Sequence, residues 1–286
     1  MRIALASCKR LPEPDPDQPV LTEALGRAGH EVRVLAWDDD ASPFCDHDLT
    51  ILRSTWNYYE RVDDFIGWAT RTAKTTRMLN PPSIVATNAT KTYLRDLSAR
   101  GVDVVPTEFV DRGARIELLP LLESRGWDAI VIKPVVSAAS YRTKRFDRTT
   151  AATSGQSFLD DLLRERGAMV QAWMPSVDTY GERSLVFIDG EVTHAIRKTP
   201  RFAGGVEQVS AEVPIADDER AFAMRALAPF MKDILYARVD MVRDEAPTGP
   251  GVLRVMELEM IEPSLFFTQS SRALDRFVAA LAARAK

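Results

Sequence analysis

The stretch VMELEMIEP, residues 255–263, decides how this chain is read. A run this apolar suits a buried strand, yet it carries Glu257 and Glu259. Successive side chains on a strand point to opposite faces, so the two glutamates share one face while Met256, Leu258 and Met260 share the other. Two residues of about 3.3 Å rise each put the carboxylates roughly 7 Å apart. A half-buried strand with a wet polar side would explain the pattern without any function. If that face is closed to water, two like charges repel and lose hydration, and a divalent cation is the simplest way to neutralise them. The remaining segments choose between these readings.

Upstream, ILYARVDMV (234–242) reads as a strand carrying Asp240, joined to VLRVMELEM (252–260) by the Pro/Gly-rich turn APTGPG (246–251). A helix is expected over about 217–232. Before it, ERSLVFIDGEVTHAIRK (182–198) reads as two strands joined at Asp189-Gly190, a strong hairpin signal. MVQAWMP (169–175) is a short strand broken by Pro175, and DAIVIKPVV (128–136) places Lys133 at the tail of a β-branched strand. A lysine there is either an edge residue or a buried cation with a task. VPTEFV (105–110) and a helix near Leu118–Ser124 come earlier still.

At the amino end, RIALA (2–6) reads as a buried strand, Val20–Ala28 as a helix ended by Gly29, and EVRVLAW (31–37) as a second strand, which together make a parallel unit. DLTIL (48–52) adds a third strand and runs into RSTWNYY (53–59). Ligands of open parallel sheets sit at the carboxyl ends of strands, which is where Arg53, Ser54 and Thr55 stand. An ordinary polar loop with Trp56 and Tyr58 packed beneath it fits the same residues. Pro81, Pro82 and Ser83 mark a boundary, after which Thr87 or Asn88 caps a helix through Tyr93, Leu94 and Leu97 to Gly101, with Lys91 in its first turn. A cation there opposes the helix dipole unless an anion pairs with it, although a solvated lysine would also serve. The acidic loop PEPDPD (12–17) is expected to be a solvated connection, and residues 271–285 an amphipathic helix.

The order of elements predicts a mixed α/β fold. With 45% hydrophobic and 27% charged residues and a formal net charge of −4, the composition is that of a globular protein without general attraction for nucleic acid or anionic lipid. No run approaches the length of a membrane span, MRIALASCKR has the wrong shape for a cleaved signal, and two cysteines, Cys8 and Cys45, are too few for a disulfide framework. A cytoplasmic protein with no nucleic-acid or membrane partner is expected, and a homo-oligomer stays open. Cys8 reads as a buried small residue rather than a nucleophile. A Walker-type loop, G-x-G-x-x-G, H-E-x-x-H and G-x-S-x-G are all absent, and His30, His47 and His194 are scattered, which argues against hydrolase and dehydrogenase chemistry.

Hard carboxylates at Asp240, Glu257 and Glu259 suit Mg²⁺, which prefers a few carboxylates plus substrate phosphates; Lys91, Lys133 and Lys198 are candidates to neutralise those phosphates. QAWM (171–174) offers a short strand whose backbone could face a flat base.

The order of these parts is specific. A lysine at a helix start, a second on a strand about forty residues later, an edge strand, an Asp and then Glu-x-Glu resemble the layout of the ATP-grasp superfamily. RSTWNYY, NATKTYL, VIKPVVSA, GERSLVFIDGEVTHAIRKTP, ARVDMV and MELEMIEPSLFF resemble the branch containing ribosomal-protein glutamate ligases and, more closely, the O-ureido-D-serine cyclo-ligases of D-cycloserine biosynthesis.

The resemblance implies an ATP-grasp fold with nucleotide between a central lid and a C-terminal domain, divided as 1–88 (substrate side), 89–175 (linker helix and lid) and 176–286 (metal site). It implies ATP and Mg²⁺ as cofactors and a small amino-acid-like substrate. Lys91 and Lys133 would meet ATP phosphates, and Gln171, Trp173 and Met174 the adenine. Asp240, Glu257 and Glu259 would hold the metal, while Arg183 and Lys198 would face the transferred phosphoryl group. Arg53, Ser54, Thr55, Glu262 and Ser264 would hold substrate. The implied reaction activates a carboxylate as an acyl phosphate and forms a C–N bond, within one molecule in the cyclo-ligases. An intermolecular amino-acid ligase and a catalytically inactive ATP-binding protein are the alternatives. Two departures from the family pattern imply either an altered acceptor site or a weakened activity. The flap VVSAASYRTKRF (135–146) has no glycine where relatives are glycine-rich, and KTPRFAGGVEQ (198–208) is short.

Overall fold

The structure, a computed structural model, describes residues 1–138, 140–199, 208–244 and 251–284. The first sheet is wholly parallel, in the order β2-β1-β3-β4. It is built from β1 (Arg2–Ser7), α1 (Asp17–Arg27), β2 (Glu31–Ala36), β3 (Leu49–Leu52), α2 (Val62–Thr72) and β4 (Arg77–Leu79). The chain leaves β1 for one side and returns to β3 on the other, so the crevice where a parallel sheet takes ligands opens beyond β1 and β3, at Arg53–Thr55.

Two proline-led expectations change here. Pro81 and Pro82 open a helix, α3 (Pro82–Asn88), because a proline is pre-set for the first helical position and has no N–H to lose there. The Asn88 side chain caps nothing: it donates to the Leu258 carbonyl at 2.7 Å and accepts from the Met260 N–H at 2.8 Å. The next helix, α4 (Tyr93–Ala99), starts after Lys91, which therefore sits in the turn between two helices. The PEPDPD loop is solvated only in part, at Pro12, Pro14 and Pro16. Asp15 and Asp17 are buried. Asp15 accepts from the Ser54 hydroxyl, and Asp17 accepts the backbone N–H groups of Leu265, Phe266 and Phe267 at 2.6, 3.0 and 2.7 Å. Its two aspartates are buried because they supply acceptors for donors that no strand satisfies.

The second sheet is antiparallel, order β5-β8-β6-β7. Its elements are β5 (Thr107–Val110), α5 (Leu118–Arg125), β6 (Ala129–Pro134), β7 (Lys144–Asp147), α6 (Arg148–Thr150), α7 (Gln156–Glu165) and β8 (Ala168–Ala172). The expected edge strand, β8, is interior, hydrogen-bonded on both sides, and its end at Gln171 and Ala172 borders a cavity together with Trp173 and Met174 that follow it. Leu122, Ile130, Leu159, Leu162 and Val170 form a core that lies wholly within this unit.

After the short α8 (Ser176–Thr179), the third sheet is antiparallel in the order β11-β10-β9-β12-β13. It comprises β9 (Glu182–Ile188), β10 (Glu191–Thr199), β11 (Gln208–Val209), β12 (Tyr236–Arg243) and β13 (Leu253–Glu259), with α9 (Asp217–Leu227) and α10 (Ser271–Arg284) packed on it. The hairpin turns at Asp189 and Gly190, both with positive φ (50° and 77°), as a two-residue turn requires. α9 ends five residues short of the expected 232. The APTGPG turn, apart from Gly251, and the centre of the 198–208 loop lie outside the described residues. Ile3, Leu21 and Ile51 share one core with Val186, Tyr236 and Phe277, so the first and third sheets are packed together; the second has a core of its own on one face, while Met169 of β8 joins a core of the third sheet. Among the described residues no helix is long and apolar enough to cross a membrane.

Candidate active site

A cleft lined by all three units carries the polar groups. Its floor is one face of the third sheet, fixed by register. Lys198 pairs with Glu182, Ser184 with Asp240, and Asp240 with Glu257, so the cross-strand partners fall on one face. Between Asp240 and Met241 the pairing of β12 with β13 shifts by one residue. That bulge corrects the strict alternation expected of VMELEM. Val255 joins Leu258 and Met260 in the core, while Met256 turns to a smaller cluster with Trp173 and Met174. Glu257 and Glu259 do share the cleft face.

Each carboxylate is met by a cation. Lys91 Nζ lies 2.9 Å from Glu257 Oε1 and donates to the Ser137 carbonyl at 2.7 Å, tying the flap to β13. Arg238 donates to Glu259 Oε1 at 2.5 Å and to both oxygens of Asp240 at 2.8 Å. Asp240, 1% exposed, also accepts from Lys198 at 2.8 Å and Ser184 at 2.5 Å, which fills its four lone-pair positions. Burial opposes ionisation of Asp240, but Arg238 and Lys198 outweigh it and hold its pKa below the usual carboxylate range. Lys91 and Lys133 likewise outweigh burial at Glu257. Further along the wall, cations fall short. Burial, reinforced by neighbouring carboxylates, pushes Glu259 to about 7 and Glu262 to about 8.

Lys133 differs from the other lysines. It is 8% exposed and has no hydrogen bond or ion pair among the described residues, and burial lowers its pKa. A desolvated ammonium at the end of a strand, facing a cleft, is arranged for an anion that arrives from outside.

Lys91, Lys133, Gln171, Trp173, Met174, Lys198, Glu257, Glu259, Glu262 and Ser264 all line the cleft. Five expected site residues do not. Asp240 lies beneath the floor. Arg183 alternates with Glu182 and Ser184 and so points through the sheet, where Glu219 of α9 accepts from its Nε and Nη2 at 3.0 Å each. Arg53 is 1% exposed, 3.5 Å from Asp17 and over the Tyr236 ring; Ser54 and Thr55 are fully buried. Reasoning from sequence missed Arg238 and Glu182, although alternation along ARVDMV and GERSLVF places them on the same faces as Asp240 and Ser184. It also missed Glu13, Trp56 and Tyr58, which line the cleft from the first unit. The indole N–H of Trp56 donates to the Glu262 carbonyl at 3.0 Å. Only tertiary contact brings these together, and no local signal marks them. Cys8 is buried, as expected, and burial raises its pKa.

Residues 3–80 match the family described as D-cycloserine synthetase DcsG, N-terminal domain. Across 95% of its length the chain is 31% identical to the cycloserine biosynthesis protein DcsG of Streptomyces lavendulae, 95% of which is covered. The chain belongs to the D-cycloserine synthetase family. The crystal structure of D-cycloserine synthetase DcsG has the same fold throughout, with a TM-score of 0.88, 31% identity and both chains covered completely. A RimK domain ATP-grasp protein from Sphaerobacter thermophilus shares the fold more distantly, with a TM-score of 0.70, 18% identity and coverage of 99% and 98%. This member of the D-cycloserine synthetase family is an ATP-dependent carbon–nitrogen ligase with the ATP-grasp fold.

Mg²⁺, which the fold implies, fits part of the expected ligand set. Glu257 and Glu259 each engage a cation through Oε1 alone, leaving Oε2 for a ligand, whereas Asp240 is saturated. Among the described residues no three Asp, Glu, His or Cys side chains converge to hold a metal by themselves. Magnesium's preference for few carboxylates plus phosphate oxygens matches that arrangement.

Proposed function

We propose that the enzyme closes O-ureido-D-serine to D-cycloserine, using ATP to activate the substrate carboxylate. The observation that carries the phosphate site is Lys133, a buried ammonium that no carboxylate among the described residues reaches by hydrogen bond or ion pair, facing the carboxylate wall of the cleft. Adenine lies against Trp173, Met174 and Val131, with Gln171 beneath. Lys91 and Lys133 take the phosphates. Glu257 and Glu259 hold Mg²⁺, which when bound offsets charge on the triphosphate. Lys198 and Arg238, held by Asp240, face the transferred phosphoryl group, and Arg183 acts by anchoring α9. Substrate occupies the end of the cleft bounded by Glu262, Ser264, Glu13 and Trp56, with Arg53, Ser54 and Thr55 shaping it from behind.

The carboxylate oxygen attacks the γ-phosphorus, ADP leaves, and the nitrogen attached to oxygen in the same molecule displaces phosphate from the acyl carbon. The carbamoyl portion departs as CO₂ and NH₃, with one water taken up overall. Catalysis is positioning and charge neutralisation, and needs no enzyme nucleophile. Segments 1–88, 89–175 and 176–286 act as units, and the second sheet, whose helices pack on a core of its own, closes as a lid that keeps water from the acyl phosphate.

The test is ADP and phosphate release with Mg-ATP and O-ureido-D-serine alone, then with single amino acids and pairs. Release with the ureido compound, with cycloserine in the product, supports cyclisation. Release only with pairs would move the function to intermolecular ligation, and no metal-dependent turnover with any of them would leave a binding protein.

A further inference from the structure

The flap between β6 and β7 turns sharply without glycine. Ser140 and Arg142 have φ of 57° and 48°, left-handed values disfavoured for residues with a Cβ, so contacts outside the flap must hold it. Tyr141, between them, stacks on Tyr59 with ring centroids 4.4 Å apart and planes 28° from parallel. Arg166, just before β8, donates from Nη1 to the Tyr59 carbonyl at 3.3 Å and places its guanidinium 5.5 Å from the Tyr141 ring centroid. Arg142 is tied to Glu165 at 2.8 Å. Tyr59 belongs to RSTWNYY of the first unit, and Tyr141 and Arg166 to the second. None of the three lines the cleft, but their neighbours Tyr58, Ser140 and Thr143 do. The contact therefore joins the first and second units at the rim of the cleft, next to Val136 and Ala138 of the flap, which pack against the first unit's core.

We propose that Tyr59, Tyr141 and Arg166 form a latch that holds the flap shut during the lifetime of the acyl phosphate, coupling ATP use to C–N bond formation. This rests on the ligase chemistry proposed above. With the flap open, the oxygen of water attacks the acyl carbon and the bond from that carbon to the phosphate oxygen breaks. The carboxylic acid and phosphate are returned, so ATP and water become ADP and phosphate with no new C–N bond. A stacked pair of half-buried rings suits this task because it excludes water yet parts for product release. The three are positioning residues, since none reaches the reacting atoms.

The experiment measures ATP consumed per product formed, on the full chain with the substrate that supports turnover. Tyr59→Ala, Tyr141→Ala and Arg166→Ala should each raise that ratio about three- to tenfold. Tyr141→Phe, which keeps the stack, should restore it. The double variant Tyr59→Ala/Tyr141→Ala should be no more uncoupled than Tyr141→Ala, because that substitution already removes the stack. Variants that are slower but still form one product per ATP would overturn the latch, as would a Phe variant as uncoupled as Ala or additive singles. A second arm needs no turnover: amide hydrogen exchange over 140–146 in the free protein should quicken about fivefold in the alanine variants. Unchanged exchange would overturn the latch even if the cyclisation substrate proves wrong. Faster exchange with an inactive wild type would fault the substrate alone.

Discussion

Replacing Lys133 by Met should make the free protein more stable and ATP binding much weaker. The side chain is 8% exposed, so its stem packs and its ammonium is largely desolvated without a bonded counter-charge. Met keeps the stem and removes the charge. Desolvation of this cation outweighs the attraction of Glu257 and Glu182, so its removal should raise unfolding free energy by about 1–2 kcal/mol. On the role proposed for it the same ammonium would meet a phosphate, and truncating one partner of a buried charge pair costs about 2–4 kcal/mol, a loss of roughly thirty- to several-hundredfold in affinity. The sign with pH follows from the folded pKa lying below the usual 10.5. Between those values the unfolded chain holds more protons, so wild-type stability rises with pH. The deficit against the Met variant is full below the folded pKa and closes as pH rises toward 10.5. Urea titrations of the free proteins across that range and calorimetric ATP titrations at neutral pH measure both effects. Unchanged ATP affinity, or a free variant less stable than wild type, would refute the reasoning.

Other outcomes are equally specific. Glu257→Gln should abolish Mg-ATP turnover with little change in far-ultraviolet circular dichroism; a wild-type rate would remove Glu257 from the metal site. Asn80, fully buried with φ of 60°, donates to the carbonyls of Tyr236 and Met260 at 2.8 and 2.7 Å and accepts from the Leu235 N–H at 2.7 Å. Asn80→Ala orphans these groups and should cost about 3–5 kcal/mol in urea unfolding, and a loss below about 1 kcal/mol would contradict that accounting. His194 is buried beside Thr193, Glu212 and Arg272, and burial lowers its pKa from 6.5 to about 4. The unfolded chain takes up that proton first, so about 2–3 kcal/mol of stability should be lost as pH falls from 6.5 to 4. A His194→Gln variant whose stability falls just as steeply over that range would show that another group is responsible.

Local rules fared well where a local rule was the cause. The Asp189-Gly190 hairpin, the parallel start of the chain and Lys133 at the tail of a buried strand follow from turn chemistry and strand periodicity. They fared worse where a distant partner overrides the pattern. PEPDPD reads as solvated until Asp15 and Asp17 are seen accepting hydrogen bonds from Ser54 and from the backbone at 265–267. Asn88 reads as a cap until Leu258 and Met260 claim its amide.

From sequence alone came the order of charged and apolar residues, and with it the resemblance to the ATP-grasp layout and ten of the residues that line the cleft, because strand alternation and motif order are written along the chain. The fold decided parity and pairing. The bulge at Asp240/Met241 sends Met256 to the cleft-side cluster, and alternation on β9 sends Arg183 to α9 while Glu182 takes the cleft face. Ion pairing saturates Asp240 and leaves Lys133 without a partner among the described residues, because which cation reaches which carboxylate depends on register between strands. The stack of Tyr59 on Tyr141 arises from the approach of two units, a distance that no stretch of sequence contains.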